Sequence, residues 1–195
     1  MDSLKIHKAL RPVKINHSTV LITGDGWSLT QDLKTFLDFS HEFEYDVYCV
    51  CRSIQHDLIT QVDHWGDIDS DNAVWFAENL PKKGRDGQIL RHTLGECRGF
   101  DVDWDVEGSL WNMDDVMWHG STALFAVLTS LSMGYKRIIL AGCPMDSKGH
   151  WHTPGHDGPR WNAETYQAWF EFAETEDAKK VSSLSGYTKT LLGAP

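Results

Sequence analysis

Residues able to do chemistry gather at a few points in this chain. His150, His152 and His156 stand close together, followed by Asp157. Imidazole exchanges protons near neutral pH, which suits a general base, and a His-x-His pair with a later His can also ligate zinc. Pro154, Gly155, Gly158 and Pro159 make the segment loop-like. A ligand-contacting lid, a metal site and a solvated loop are therefore all open readings; His150 and His152 are the candidate catalytic histidines. Gly24-Asp25-Gly26-Trp27-Ser28 is the second point. Glycines between a strand and a helix let backbone N–H groups approach a phosphate, whereas a tight turn with a capping serine would need no ligand. Asp146 can bridge Mg²⁺ to phosphates, hydrogen-bond a ribose, or sit idle in solvent, and it is counted with the catalytic candidates. Arg52 can pair with a phosphate bidentately or form a surface ion pair, and Ser53 follows it. Gly120-Ser121-Thr122 precedes an apolar run, where Ser121 reads as a helix N-cap. His64 and His92 end candidate strands, either in a crevice or hydrogen-bonded at a sheet edge. No residue is assigned as a metal ligand.

The elements that must position these groups alternate between strand and helix. Ser18–Thr23 reads as a first strand. Ser28 with Gln31 fits a capping box, and Leu29, Leu33, Phe36 and Leu37 share one helical face. Further strands are predicted at Asp46–Arg52, Gln61–Trp65 and Gln88–His92, with a helix at Asn72–Leu80 stopped by Pro81 and a basic turn at Lys82–Gly87. Thr93–Met117 reads as a loop rich in Asp and Trp. Ser121–Met133 is apolar all round, as a helix covered on both sides would be. Gly134 stands where a helix-ending glycine belongs, and Arg137–Ala141 reads as a strand buried on both faces. A helix at Trp161–Glu174, a strand at Val181–Leu184 and a helix at Tyr187–Leu192 complete the chain. This alternation predicts one α/β domain over residues 1–195, Rossmann-like, with a mostly parallel sheet, helices on both faces and a His-rich lid loop. Ligands of such folds sit beyond the strand C-termini, which adds Cys143 and Met145 to the candidate binding residues.

Composition narrows the classes further. The 195 residues suffice for one substantial core. The net charge of −10 disfavours nucleic acid as a partner; a DNA-modifying transferase would have to rely on the small basic turn of Lys82, Lys83 and Arg85. No apolar run is long enough to span a membrane, and Met1–Lys14 lacks the apolar stretch of a signal peptide. Cys49, Cys51, Cys97 and Cys143 lack Cys-x-x-Cys spacing and read as reduced thiols in a cytoplasm. Homo-oligomers are compatible with the Trp-rich acidic composition, though no heptad signature marks an interface. A third glycine of the dinucleotide fingerprint is missing, since Leu29 occupies its place, and Arg52 ends the second strand in place of an acid, so NAD is not expected.

Val20-Leu-Ile-Thr-Gly-Asp-Gly-Trp-Ser-Leu29 and the MGYKRIILAG stretch, with an acid shortly after it, resemble two related families. These are the archaeal 6-hydroxymethylpterin diphosphokinases and the bacterial sialyltransferases with one Rossmann-like domain (glycosyltransferase family 42). The segments HGSTALFAVLTSLSMGYKRIILAGCPMD and VSSLSGYTKTLLGAP are similar to a set of small phage and prophage proteins, which would place the chain in a host cytoplasm. The resemblance implies a cytosolic transferase that binds a nucleotide or nucleotide-sugar. Gly24, Asp25, Gly26, Ser28 and the hydroxyls at Ser121 and Thr122 would contact the nucleotide, and a lid histidine would act as general base. Arg52 departs from the Asn usual at that position in the sialyltransferases. Glycosyl transfer to a small hydroxylated acceptor is the leading expectation. Mg²⁺-dependent diphosphate transfer and a non-catalytic phage protein for nucleotide binding or assembly are the alternatives.

Overall fold

The computed structural model describes residues 4–9, 13–68, 83–94, 99–106, 121–146, 148–154 and 163–195. The central feature is an eight-stranded sheet. Its strands are β1 (Leu4–Ala9), β2 (Thr19–Thr23), β3 (Asp46–Val50), β4 (His64–Gly66), β5 (Leu90–Leu94), β6 (Val102–Val106), β7 (Arg137–Ala141) and β10 (Val181–Ser183). They lie in the order β1-β6-β5-β4-β3-β2-β7-β10. Seven run parallel, and β1 pairs antiparallel with β6 at one edge. From β2 the chain winds outward through β3 to β6, then returns to place β7 on the other side of β2. That reversal is the topological switch point of a Rossmann-like α/β fold, and it opens a crevice at the strand C-termini.

The strands form because their apolar residues are consecutive and are covered from both sides. Val20, Ile22, Tyr48, Val50, Ile138 and Leu140 face one layer with α2 (Thr122–Met133), α3 (Ala163–Ala173) and α4 (Gly186–Leu192). Leu21, Val47, Cys49, Ile139 and Ala141 face the other, against Leu29, Leu33 and Phe36 of α1 (Leu29–Phe39). The ends of α2 follow the expected chemistry. The Ser121 side chain accepts the Leu124 amide at 3.3 Å. At the other end Gly134 takes φ +100, and the amides of Gly134 and Tyr135 both close onto the Ser130 carbonyl. Among the described residues no helix is long and apolar enough to cross a membrane.

The structure corrects several expectations. Part of Met1–Lys14 is a strand, β1, and part of Thr93–Met117 is another, β6. Arg52 and Ser53 lie in a 3₁₀ turn, Cys51–Gln55, beyond the end of β3. Ser28 does not cap α1 through its side chain, because its hydroxyl donates to Asp32 at 2.9 Å. The His-rich segment is in part a hairpin, β8 (Gly149–His150) with β9 (Thr153–Pro154). The helix expected at 72–80, His156, Asp157, Cys97 and Gly120 lie outside the described residues.

Candidate functional site

The crevice at the switch point is a half-open cleft. Gly24, Asp25 and Gly26 after β2, Gly142 to Asp146 after β7, and Ser121 to Ala123 at the start of α2 line it, with Cys51 and His150. Of the sequence candidates, Gly24, Asp25, Gly26, Ser121, Thr122, Cys143, Met145, Asp146 and His150 are brought together here.

The glycines have a packing task. The Gly24 amide donates to the Ala141 carbonyl at 2.7 Å, and the Gly26 amide to the Gly142 carbonyl at 2.8 Å. Both donors are thus committed to the loop after β7, and a Cβ at Gly24 would lie 2.5 Å from the Gly142 carbonyl oxygen. The glycines let two loops touch. Gly142 itself takes φ +67, and its amide donates to the Asp32 carboxylate at 2.8 Å. Asp32, buried on α1, also accepts from Ser185 at 2.6 Å and from Ser28. One carboxylate therefore ties the first helix, the loop after β7 and the segment before α4. Ser28 and Ser53 do not line the cleft: Ser53 is buried and donates to the carbonyls of Thr23 and Val50, both at 2.8 Å.

Amides at the start of α2 are left for an anion. The first helical N–H groups have no partner within their helix, and Thr122 and Ala123 line the cleft. Two cleft residues other than glycine, Cys51 and Met145, hold a left-handed backbone at φ +50 each. Strain of this kind collects at functional sites. Neither cleft thiol is a ready nucleophile. Burial, then the nearby Asp67, pushes the Cys51 thiol well up, and burial with Asp32 raises that of Cys143. Asp67 is a site residue the sequence did not suggest: a buried carboxylate just beyond β4, beside Cys51.

At the mouth of the cleft the hairpin is stitched to the glycine loop. Trp27 N donates to the Gly149 carbonyl at 3.0 Å and Trp151 N to the Asp25 carbonyl at 3.2 Å, and Gly26 bridges His150. This brings two imidazoles to one carboxylate. His150 Nδ1 lies 3.3 Å from Asp25 Oδ2, and His152 Nδ1 lies 3.4 Å from Asp25 Oδ1. Burial pushes the Asp25 carboxyl up; His152 and His150 oppose this, with smaller help from Trp151 and Arg52. Arg52 reaches His152 Nε2 at 3.4 Å. His150 thus lines the cleft with Nδ1 turned to Asp25, while His152 stands between Asp25 and Arg52.

Asp146 is held by the Trp27 indole N–H at 2.7 Å and by the Lys148 amide at 3.2 Å. The Lys148 ammonium sits 4.6 Å over the Trp27 ring. His64 and His92 are buried in the sheet, away from the crevice lining. Among the described residues no group of three His, Cys, Asp or Glu side chains stands close enough to hold a metal ion. Comparison of the chain with protein-family models, with curated proteins and with solved structures finds no match.

Proposed function

We propose that the cleft binds a nucleotide-sugar and transfers its glycosyl group to a small hydroxylated acceptor in the cytoplasm. The observation that carries this reading is the Asp25–His150 pair at the mouth of the switch-point cleft. The Asp25 backbone carbonyl, 3.2 Å from His150 Nδ1, accepts from that nitrogen and fixes the tautomer, and the Asp25 carboxylate beside it stabilises the imidazole cation, so Nε2 is the nitrogen left to act as base. His150 takes the proton of the acceptor hydroxyl as that oxygen attacks the anomeric carbon. The bond from that carbon to the phosphate oxygen breaks, and the nucleotide leaves with the electron pair. The positive end of α2, at Ser121 to Ala123, would hold the phosphate charge, and Arg52, which reaches His152 just outside the cleft lining, would have to turn toward it to add a second contact. His152, between Arg52 and Asp25, positions both.

Diphosphate transfer would ask Asp146 to hold Mg²⁺. The Trp27 indole and the Lys148 amide already draw on that carboxylate, which favours glycosyl transfer. The test is release of nucleotide from CMP-, UDP- and GDP-sugars in the presence of a hydroxylated acceptor, followed by chromatography. His150→Ala is expected to lower the rate by about 10²–10⁴-fold, the usual worth of a general base. His152→Ala is expected to act mainly by weakening donor binding. Release undiminished in His150→Ala contradicts the assignment. Nucleotide binding without release from any donor turns the site into a non-catalytic binding module.

A further inference from the structure

A second polar cluster lies in the core, outside the cleft. Trp104 Nε1–H donates to His92 Nδ1 at 3.0 Å. His92 Nε2 meets His64 Nδ1 at 3.0 Å, and His64 Nε2 meets the Tyr135 hydroxyl at 2.9 Å. Tyr135 donates to Asp46 Oδ2 at 2.7 Å. The chain links β6, β5, β4, the turn after α2, and β3, and all five side chains are buried.

The two ends fix its direction. An indole N–H can only donate, so His92 Nδ1 must accept, and a neutral His92 carries its proton on Nε2. His64 Nδ1 then accepts and Nε2 donates to Tyr135, whose own proton goes to Asp46. Each link holds one proton, and none has room for a second. A second proton on either imidazole must go on its Nδ1, where it faces either the Trp104 N–H or the His92 N–H. It would break a link and place a charge where burial penalises it.

The surroundings reinforce this. Asp46 also receives the backbone amides of Asn16 and His17, at 2.8 and 3.3 Å, and Arg85 and His17 flank it at 3.7 and 3.8 Å. Asp63, next to His64, is occupied by Arg85 and Asn16. Tyr48 of β3 packs against both imidazoles, and α2 offers Thr129 to Tyr48. Asp103 alternates to the far side of β6, Arg91 and Asp101 pair with each other, and Asp67 turns to Cys51. The carboxylates of Asp46 and Asp63 favour a charged His64, but burial outweighs them and lowers its pKa to about 4.

We propose that the Trp104–His92–His64–Tyr135–Asp46 chain is an acid latch. It closes the β4–β6 half of the sheet onto Tyr135 when both histidines are neutral, and protonation opens that half while β2 and β7 stay paired. The proposal does not rest on the cleft or its activity.

The test is amide hydrogen exchange at pH 7 and pH 5, corrected for intrinsic rates, on the full chain and on a His64→Gln/His92→Gln double variant. A carboxamide accepts through oxygen and donates through nitrogen, so the variant keeps the direction of the chain without titrating. With His64 at about 4 folded and 6.5 opened, linkage predicts that the wild-type opening equilibrium for residues 90–94 and 102–104 rises about twentyfold from pH 7 to pH 5. Residues 19–23 and 137–141 should change far less, and the double variant should lose the difference. Should the variant fail to fold, histidine NMR titration of the wild type decides, with the His64 imidazole expected to stay neutral in the native signal at pH 5. His64 titrating near 6.5 with unchanged exchange, no acid response of β5–β6, or an equal response in the variant would each overturn the proposal.

Discussion

Replacing Asp32 with Ala should cost more stability than any exposed change on the same helix. The carboxylate accepts three bonds, from Gly142 N at 2.8 Å, Ser28 Oγ at 2.9 Å and Ser185 Oγ at 2.6 Å. A hydrogen bond to a charged group contributes about 1.5–3 kcal/mol. The Ser28 and Ser185 hydroxyls lie 2.8 Å apart, so when the carboxylate goes one can turn its proton to the other and both keep a partner. The Gly142 amide is left buried and alone. The expected loss is therefore about 3–5 kcal/mol, less than three full bonds would give. With a urea slope of about 2 kcal/mol/M, the unfolding midpoint falls by about 2 M. Asp38→Ala, on the exposed side of α1, should stay within about 0.5 kcal/mol of the parent. A loss below about 1 kcal/mol in Asp32→Ala would refute the reasoning that this carboxylate holds the loops of the cleft together.

Two glycines separate close contact from backbone conformation. Gly142→Ala places a Cβ 2.6 Å from the Gly24 carbonyl oxygen and 2.9 Å from Leu29, at φ +67, and should cost about 3 kcal/mol or more. Gly87→Ala has φ +76 with nothing within 4 Å and should cost only about 1 kcal/mol in the same thermal melt; equal losses would contradict the close-contact account.

The frame of the fold is legible in the chain because its strands are short apolar runs that need no distant information. Val20-Leu-Ile and Ile138-Ile-Leu announce β2 and β7, and Gly134 announces the end of α2. The switch point follows from those two strands, and with it the place of the cleft. What was hidden depends on partners far apart in sequence. Asp32 looks like any acid in a first helical turn until Gly142 and Ser185 arrive, 110 and 153 residues later. The Gly24 and Gly26 pattern suggests a phosphate loop; that their amides go to Ala141 at the end of β7 and to Gly142 just beyond it is a pairing that no local spacing reveals. Trp104, His92 and His64 sit on three neighbouring strands, one of them only three residues long. In β6 the alternation of Val102 and Trp104 with Asp103 was present, but the Asp- and Trp-rich surroundings masked it. Asp25, by contrast, was read as a nucleotide contact; its pairing with His150 and His152 required the hairpin to fold back onto the glycine loop.

The central claim is that the switch-point cleft takes a nucleotide. A thermal-shift panel of CMP, CDP, UDP, GDP, ADP, ATP and AMP, each with and without Mg²⁺, tests it most directly. A ligand at a hundred times its dissociation constant adds about 2.7 kcal/mol to the folded state, a rise of about 5–10 °C for a chain of this size. The account predicts such a rise with a nucleotide of one base, independent of Mg²⁺ and diminished in Arg52→Ala. A rise only with ATP and Mg²⁺ would contradict glycosyl transfer in favour of diphosphate transfer, and no rise with any nucleotide would contradict the claim itself.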